Sequence, residues 1–183
     1  MRDNIDLVIF GSQGDLAKRK LLPALYRLDK ADLLPDNARI ASVARHQIST
    51  NIYLSQVQEN LQQVIPKKEW DNKVWTRFKR RIYYIKVDFS QKKQFNHVSD
   101  WMEENRKVIF YLATPPSLYE SICKHMASTG CVSENTRIVL EKPIGHDLRS
   151  SKQVNDAVGQ YFSEKNIFRI CLLYTSDAAD ERN

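Results

Sequence analysis

The chain has 183 residues, of which 42% are hydrophobic, and it carries a formal net charge of +6. A chain of this length can bury a core and fits one domain of ordinary size. It contains no run of about eighteen apolar residues that would span a bilayer and no basic, apolar and small-residue series at its start that would direct secretion, so we expect a cytoplasmic protein with no membrane partner.

The first predicted element is a strand that ends in a glycine turn. Residues Ile5–Phe10 form a dense apolar run, which is typical of a buried parallel strand. The chain then turns through Gly11 and Gly14, and a helix opens at Asp15. Glycines let a backbone approach a ligand closely, and the first amides of a helix have no intrahelical acceptor and point at an anion. The pattern indicates a phosphate-binding turn, although it lacks the third glycine of the dinucleotide fingerprint and also fits an ordinary strand-to-helix turn.

The rest of the chain alternates predicted strands and helices. A helix follows the turn over residues 16–30, in which Pro23 would produce a kink. Further strands are predicted over 38–44, 82–87, 107–113, 137–140 and 166–170, and further helices over 49–65, 67–81, 91–105, 117–128 and 147–162. This alternation predicts the α/β class, with a doubly wound, mostly parallel sheet of the Rossmann-type dinucleotide-binding kind.

In such a sheet the carboxyl ends of the strands meet at one edge, where a ligand binds. Gly11, Arg45, Asp88, Thr114 and Glu141 would converge there. An acidic residue at the end of the second strand would accept a hydrogen bond from a ribose 2′-hydroxyl, but Arg45 stands in that place, and a guanidinium suits a 2′-phosphate. The cofactor implied is NADP, with an ordinary surface arginine as the alternative.

The cysteines and histidines give no sign of a disulfide framework or a metal site, and the basic residues favour solvated surfaces over a nucleic-acid interface. Cys123, Cys131 and Cys171 are odd in number and form no Cys-x-x-Cys pair, so reduced thiols are expected. The four histidines show no metal-ligand spacing. The lysines and arginines are scattered over separate predicted elements, which favours solvated helix faces over nucleic-acid binding.

Two longer runs resemble the glucose-6-phosphate dehydrogenase family. They are GSQGDLAKRKLLPAL over residues 11–25 and EKPIG over residues 141–145. Segments 111–116 and 167–170 support them, so the resemblance extends from about Asp3 to Ile170. The family oxidises the C1 hydroxyl of glucose 6-phosphate to 6-phosphogluconolactone with NADP in the pentose phosphate pathway. The resemblance therefore implies an oxidoreductase of carbohydrate metabolism.

The resemblance also implies roles for single residues. Those around the cofactor would be Gly11, Ser12, Gln13, Gly14, Asp15 and Leu16 at the pyrophosphate, Arg45 at the 2′-phosphate, Asp88 and Phe89 on the adenine side, and Lys142 between cofactor and sugar. Lys142 and Lys20 would face the substrate. Gln13 departs from the family, many members of which carry a small hydroxyl residue there that could bond the 2′-phosphate. We therefore expect a preference for NADP over NAD rather than exclusivity.

The resemblance stops at Ile170. Family members continue into Asp-His-Tyr-Leu-Gly-Lys-Glu, which holds the substrate phosphate, and their catalytic base is a later histidine. This chain continues as CLLYTSDAADERN, and His146, in a loop, is not expected to replace that base. We expect residues 1–170 to be an NADP-binding domain that lacks the family's α+β C-terminal domain, with no catalytic residue present and no turnover alone. Residues 171–183 would be a tail foreign to the family, either a sequencing artefact or a disordered segment.

Two alternative interpretations stay open. The glucose-fructose oxidoreductase and inositol dehydrogenase family also combines a coenzyme domain with a Glu-Lys-Pro motif, although its first turn normally has three glycines. A stand-alone nucleotide- or nucleic-acid-binding module would fit the size and the charge of +6. Under the leading hypothesis, the complete enzyme would be a homo-oligomer that takes glucose 6-phosphate as its substrate and has no nucleic-acid partner.

Overall fold

A six-stranded parallel sheet organises the chain in the computed structural model, which describes residues 4–142 and 148–170. The strands are β1 (Ile5–Phe10), β2 (Arg39–Ala44), β3 (Ile82–Lys86), β4 (Lys107–Leu112), β5 (Thr136–Glu141) and β6 (Ile167–Ile170). Their order across the sheet is β3-β2-β1-β4-β5-β6, and each neighbouring pair is parallel. This is the order of a doubly wound dinucleotide-binding sheet, whose direction of winding reverses between β1 and β4. The predicted fold class is confirmed.

Helices connect the strands on both faces of the sheet. They are α1 (Leu22–Lys30), α2 (Thr50–Val64), α3 (Asn72–Phe78), α4 (Asn96–Trp101), α5 (Tyr119–Ser128) and α6 (Leu148–Gly159). Short 3₁₀ turns precede or follow several of them, at Lys79–Arg81, Lys92–Phe95, Pro116–Leu118 and Glu164–Asn166. Two predicted features lie outside the described residues: the segment 143–147, which contains His146, and the tail 171–183.

The core forms two layers, one on each face of the sheet. Side chains of a strand alternate between the faces, so Phe10 packs into one layer and Ile9 into the other. The layer under α1, α2 and α3 includes Tyr26, Leu61 and Phe78. The layer under α4, α5 and α6 includes Val98, Ile122 and Val158. Both layers support the carboxyl edge of β1, where the glycine turn begins.

A buried carboxylate interrupts the apolar run of β1. Asp6 is fully buried, and two arginines hold it. Arg39 donates through Nε at 2.9 Å and through its terminal nitrogen at 2.6 Å, and Arg106 donates through Nε at 2.6 Å. Arg39 also lies over the ring of Trp101, 4.4 Å from its centroid, and pairs with the exposed Glu103. The cluster ties the amino ends of β1, β2 and β4 together.

Two helices are shorter than the sequence pattern predicted. The predicted helix 67–81 begins only at Asn72, because the Asp71 carboxylate accepts hydrogen bonds from the next amides and caps the helix there. The predicted helix 91–105 is a 3₁₀ turn followed by α4, which ends at Trp101. The carbonyl of Trp101 accepts a hydrogen bond from Arg39, 62 residues away. The helical periodicity of a sequence does not predict a contact between residues so far apart in the chain.

The helix after the glycine turn contains a π-helical turn over Ala17–Leu21. The amide of Leu22 donates to the carbonyl of Ala17, five residues back rather than four. Pro23 follows at the start of α1 and has no amide hydrogen to continue an α-helical ladder. The structure therefore has a widened turn close to the proline for which a kink was predicted, and such turns are frequent beside functional sites.

The described residues contain no helix that could span a membrane, no cluster of metal ligands and no reactive thiol. None of their helices is both long and apolar enough to span a bilayer, and they contain no group of three potential metal ligands. Cys123 and Cys131 are buried free thiols, as expected, whereas Cys171 lies outside the described residues. Burial raises the pKa of both thiols, that of Cys123 to about 12. These cysteines are therefore protonated and unreactive at neutral pH.

Candidate functional site

The turn after β1 is held between two strands by its backbone. Gly11 adopts a φ of +85°, in the left-handed region that favours glycine. Its amide and that of Ser12 both donate to the carbonyl of Val43 in β2, at 2.9 and 3.1 Å. A Cβ atom at position 11 would lie 2.8 Å from the carbonyl oxygen of Ala113, just after β4. The conformation and the space both require glycine at this position.

Gly14 completes the turn and exposes the amides around it. Its own amide donates to the carbonyl of Gly11 at 2.9 Å, and a Cβ atom at position 14 would lie 3.2 Å from the same oxygen. Within the described parts of the chain, the amides of Gln13, Asp15 and Leu16 have no backbone acceptor. Unpaired amides at the start of a helix are suited to hold an anion.

The glycine turn forms one wall of a cavity of about 400 Å³ at the carboxyl edge of the sheet. This volume is within the range of small-molecule sites. Five of the predicted site residues line it: Gly11, Gln13, Gly14, Arg45 and Phe89. The structure therefore brings together the end of β1, the end of β2 and the segment after β3, as the sheet topology predicts.

The opposite wall of the cavity comes from the segment after β4. Ala113, Thr114, Pro115 and Leu118 line this side. The hydroxyl oxygen of Thr114 is buried and has no hydrogen-bond partner among the described residues. A buried hydroxyl without a partner is destabilising, so a ligand that bonds it would gain affinity. Thr114 was expected at this edge, but the three other residues were not predicted as site residues.

A hydrogen bond between side chains joins the glycine turn to the segment after β2, next to Arg45. Nδ1 of His46 lies 2.8 Å from Oε1 of Gln13, so the ring N–H donates to the amide oxygen. Both residues line the cavity. His46 was not among the predicted site residues, and its position directly after Arg45 was the only signal that could have indicated it.

Arg45 and Asp88 form the charged part of this region. The carboxylate of Asp88 accepts hydrogen bonds from the amide of Ser90 at 3.0 Å and from its hydroxyl at 2.8 Å. These bonds lower the pKa of Asp88, with smaller contributions from the positive charges of Lys86 and Arg45. Asp88 is thus ionised at neutral pH and close enough to Arg45 to interact with it, although only Arg45 lines the cavity.

Three predicted pyrophosphate residues place their side chains away from the cavity. Ser12 is 1% exposed, and its carbonyl accepts a long hydrogen bond of 3.4 Å from the hydroxyl of Tyr53. Asp15 is exposed and pairs with Arg19 at 3.8 Å. Leu16 packs against the core layer under α1. Any contact of these residues with a ligand would therefore involve the backbone.

The two predicted substrate lysines do not line the cavity. Lys20 lies on the exposed side of the π-helical turn, and Lys142 is exposed just after β5. The backbone amide of Lys142 donates to the carbonyl of Ile170 at 2.8 Å, which fixes the exit of β5 beside β6. Burial raises the pKa of the preceding Glu141 carboxyl. The roles of both lysines stay predictions.

A larger groove of about 520 Å³ lies between α5 and α6. Among the described residues its lining includes the carboxylates of Glu120 and Asp156 and no cationic side chain. Such a surface repels a phosphorylated ligand. The smaller cavity, with its glycine turn and Arg45, is the better candidate for a nucleotide site.

The sequence matches a family model described as glucose-6-phosphate dehydrogenase, NAD binding domain, over residues 8–172. Among similar proteins, a glucose-6-phosphate 1-dehydrogenase of Mycolicibacterium smegmatis is 40% identical over 174 residues, which cover 92% of this chain and 35% of that protein. One of Dickeya dadantii is 37% identical over 166 residues, which cover 90% of this chain and 34% of that protein. The chain thus spans about a third of the length of these relatives.

Solved structures give the same result. The crystal structure of glucose-6-phosphate 1-dehydrogenase from Mycobacterium avium superposes with a TM-score of 0.85 at 29% identity, covering 92% of this chain and 36% of that one. A glucose-6-phosphate dehydrogenase in complex with its substrate glucose-6-phosphate superposes with a TM-score of 0.78 at 26% identity, again covering 92% and 36%. The sequence and the fold therefore identify the same group of proteins.

Proposed function

Because the chain belongs to the glucose-6-phosphate dehydrogenase family through its NAD-binding domain, we propose that its cavity binds NADP and that residues 1–170 are the coenzyme domain of an enzyme that oxidises glucose 6-phosphate. The observation that carries the proposal is the glycine turn. Gly11, with its positive φ and its close approach to Ala113, opens onto the same cavity as Arg45. A phosphate-binding turn and a cation for a further phosphate thus lie in one site.

The residues of the cavity fit a dinucleotide. The amides of Gln13, Asp15 and Leu16 would hold the pyrophosphate, since those of Gly11 and Ser12 are already bonded to β2. The unpartnered hydroxyl of Thr114 offers a further hydrogen bond. Phe89 supplies an apolar surface for the adenine, with Asp88 beside it. A bound nicotinamide dinucleotide would accept the hydride from C1 of the sugar as the C1 hydroxyl loses its proton.

Arg45 supports the choice of NADP over NAD. Its guanidinium lines the cavity at the end of β2, the place from which a doubly wound domain contacts the adenosine ribose. A guanidinium can bond a phosphate through two N–H groups, whereas it gains little from a hydroxyl. The side chain of Gln13 is occupied by His46, so Arg45 would be the principal ligand of the 2′-phosphate.

Catalysis is proposed for the complete enzyme of the family. Lys142 follows β5, where its ammonium could donate to sugar hydroxyls and attract phosphorylated ligands, and Lys20 could add to that attraction. Proton abstraction from the C1 hydroxyl needs a positioned base, which we assign to the two-thirds of the relatives' length that this chain does not span. Family membership supports a homo-oligomeric, cytoplasmic enzyme of the pentose phosphate pathway. The chain alone is expected to bind NADP without reducing it in the presence of glucose 6-phosphate.

Replacing Arg45 tests the proposed coenzyme. Arg45→Ala is expected to raise the Kd for NADP about thirtyfold, because charge-assisted hydrogen bonds to a phosphate are lost. The Kd for NAD should change less than about twofold, since NAD has no 2′-phosphate. Isothermal titration calorimetry with both dinucleotides measures these changes in the full 183-residue chain.

Arg80→Ala is the matched control for the loss of one positive charge. Arg80 is exposed and precedes β3, at the opposite edge of the sheet from the cavity. Its removal should leave both affinities unchanged. Equal affinities of the unmodified chain for NADP and NAD would contradict the proposed preference, and an absence of binding to either would contradict the dinucleotide site itself.

A further inference from the structure

Two tyrosines lie behind the cavity, one on α2 and one on β3. The ring centroids of Tyr53 and Tyr84 are 4.7 Å apart, with 36° between the ring planes. Tyr53 is 2% exposed and belongs to the core layer under α1. Tyr84 is partly buried and packs against the same layer. The tilted rings are in contact and therefore pack the helix against the sheet.

The hydroxyls of this pair bond to two segments that line the cavity, the segment after β2 and the glycine turn. The hydroxyl of Tyr84 donates to the backbone carbonyl of His46 at 2.6 Å, next to Arg45. The hydroxyl of Tyr53 donates to the backbone carbonyl of Ser12 at 3.4 Å, inside the glycine turn. One tyrosine thus acts on the segment that carries the cationic side chain, and the other acts on the anion-binding turn.

On the side that faces the cavity, a second contact joins the glycine turn to the segment after β2. There the His46 ring donates to the Gln13 side chain at 2.8 Å. In addition to the backbone bonds of Gly11 and Ser12 to Val43, the glycine turn and the segment after β2 are therefore connected by Gln13 and His46 at the cavity and by the tyrosine pair behind it. A closed set of contacts around two loops restricts their relative motion more than either contact would alone.

Both tyrosine hydroxyls are protonated donors at neutral pH. Burial is the largest influence on the Tyr53 hydroxyl and raises its pKa. Burial also raises the pKa of Tyr84, with a further contribution from Tyr53. The two donated hydrogen bonds therefore persist across the pH range in which a dehydrogenase works.

We propose that Tyr53 and Tyr84 are positioning residues that set the distance between the glycine turn and Arg45, acting through the backbone carbonyls of Ser12 and His46. This inference rests on the proposed dinucleotide site. Tyr84 acts beside Arg45, so its hydroxyl controls the preference for the 2′-phosphate. Tyr53 acts on the turn that holds the pyrophosphate, which NADP and NAD share, so its hydroxyl affects both dinucleotides equally.

The test compares single-hydroxyl deletions in the full chain. Tyr84→Phe is expected to raise the Kd for NADP about fivefold and that for NAD less than about twofold, since one net hydrogen bond beside Arg45 is lost. Tyr53→Phe is expected to raise both values by the same factor of about three, because its bond is longer. Tyr83→Phe is the matched control, since Tyr83 is the neighbouring residue of β3 and is 42% exposed. It should leave both affinities unchanged.

The outcomes separate this inference from the proposed function. If the unmodified chain binds neither dinucleotide, both the proposed function and the inference that rests on it are wrong. If the unmodified chain binds NADP and Tyr84→Phe leaves the ratio of the two Kd values unchanged, the inference alone is overturned. A merely structural role of Tyr84 would lower the melting temperature and weaken both dinucleotides together, without changing their ratio. Tyr84 is partly exposed, so the Phe variant retains its fold and allows water to bond the freed carbonyl of His46.

Discussion

Gly11→Ala is expected to abolish measurable dinucleotide binding and to lower the free energy of unfolding by about 3 kcal/mol. Two costs combine at this position. The φ of +85° is unfavourable for alanine. The new methyl group would also lie 2.8 Å from the carbonyl oxygen of Ala113 and 2.9 Å from Cγ2 of Thr114. Because the nearest atom is backbone, relief requires the turn to move away from β4, which opens the proposed pyrophosphate site.

Gly130→Ala separates these two costs. Gly130 has a similar φ of +77°, but a Cβ atom there would meet nothing within 4 Å. The control should lower the free energy of unfolding by about 1 kcal/mol and leave the affinity for NADP unchanged. Urea denaturation gives the free energies, and calorimetric titration gives the affinities. A Gly11→Ala variant that bound NADP like the unmodified chain would refute the role assigned to the turn.

The second large effect is expected for Asp6→Ala, which should lower the free energy of unfolding by about 3–5 kcal/mol. The variant removes the carboxylate that accepts hydrogen bonds from Arg39 and Arg106. These arginines have side chains only 18% and 8% exposed, so Arg106 would lose its buried counter-ion with little water to replace it, and Arg39 would keep only the exposed Glu103. A buried, unpaired charge is among the most destabilising changes in a protein.

Glu103→Ala is the control for Asp6→Ala, because it removes the other carboxylate paired with Arg39. The side chain of Glu103 is 61% exposed, and exposed ion pairs contribute little to stability. Its loss should change the free energy of unfolding by less than about 0.5 kcal/mol. Urea denaturation measures the free energy of unfolding of both variants, from the midpoints of transitions that have the same m-value. If the two variants lowered the free energy of unfolding by similar amounts, the burial of Asp6 would not determine how much it contributes to stability.

The sheet was predictable because its strands are short apolar runs separated by amphipathic segments. All six strands occur at the predicted places, with ends that differ from the prediction by at most one residue. The alternation also restricts the topology, since parallel strands need crossover helices and these crossovers are right-handed. What the pattern could not show was Asp6, whose charge within an apolar run depends on arginines 33 and 100 residues away.

The candidate site was predictable where backbone geometry determines it. Gly11 is required by the turn, Gly14 completes it, and Arg45 follows directly from the end of β2, so these features could be located in the sequence. The contact between Gln13 and His46 depends on the distance between two separate loops. The support of His46 by Tyr84 depends on a third strand. Such contacts arise from tertiary packing and leave no local periodicity.

The central position of β1 also determines when the site can form during synthesis. β1 is made first, but its neighbours in the sheet are β2 and β4, and the carbonyl that closes against Gly11 belongs to Ala113. About a hundred residues must therefore follow the glycine turn before its final contact exists, which takes about 5–20 s at the usual speed of a ribosome. Until then the nascent chain exposes one long edge of β1, and a chaperone that protects this edge would act before any coenzyme could bind.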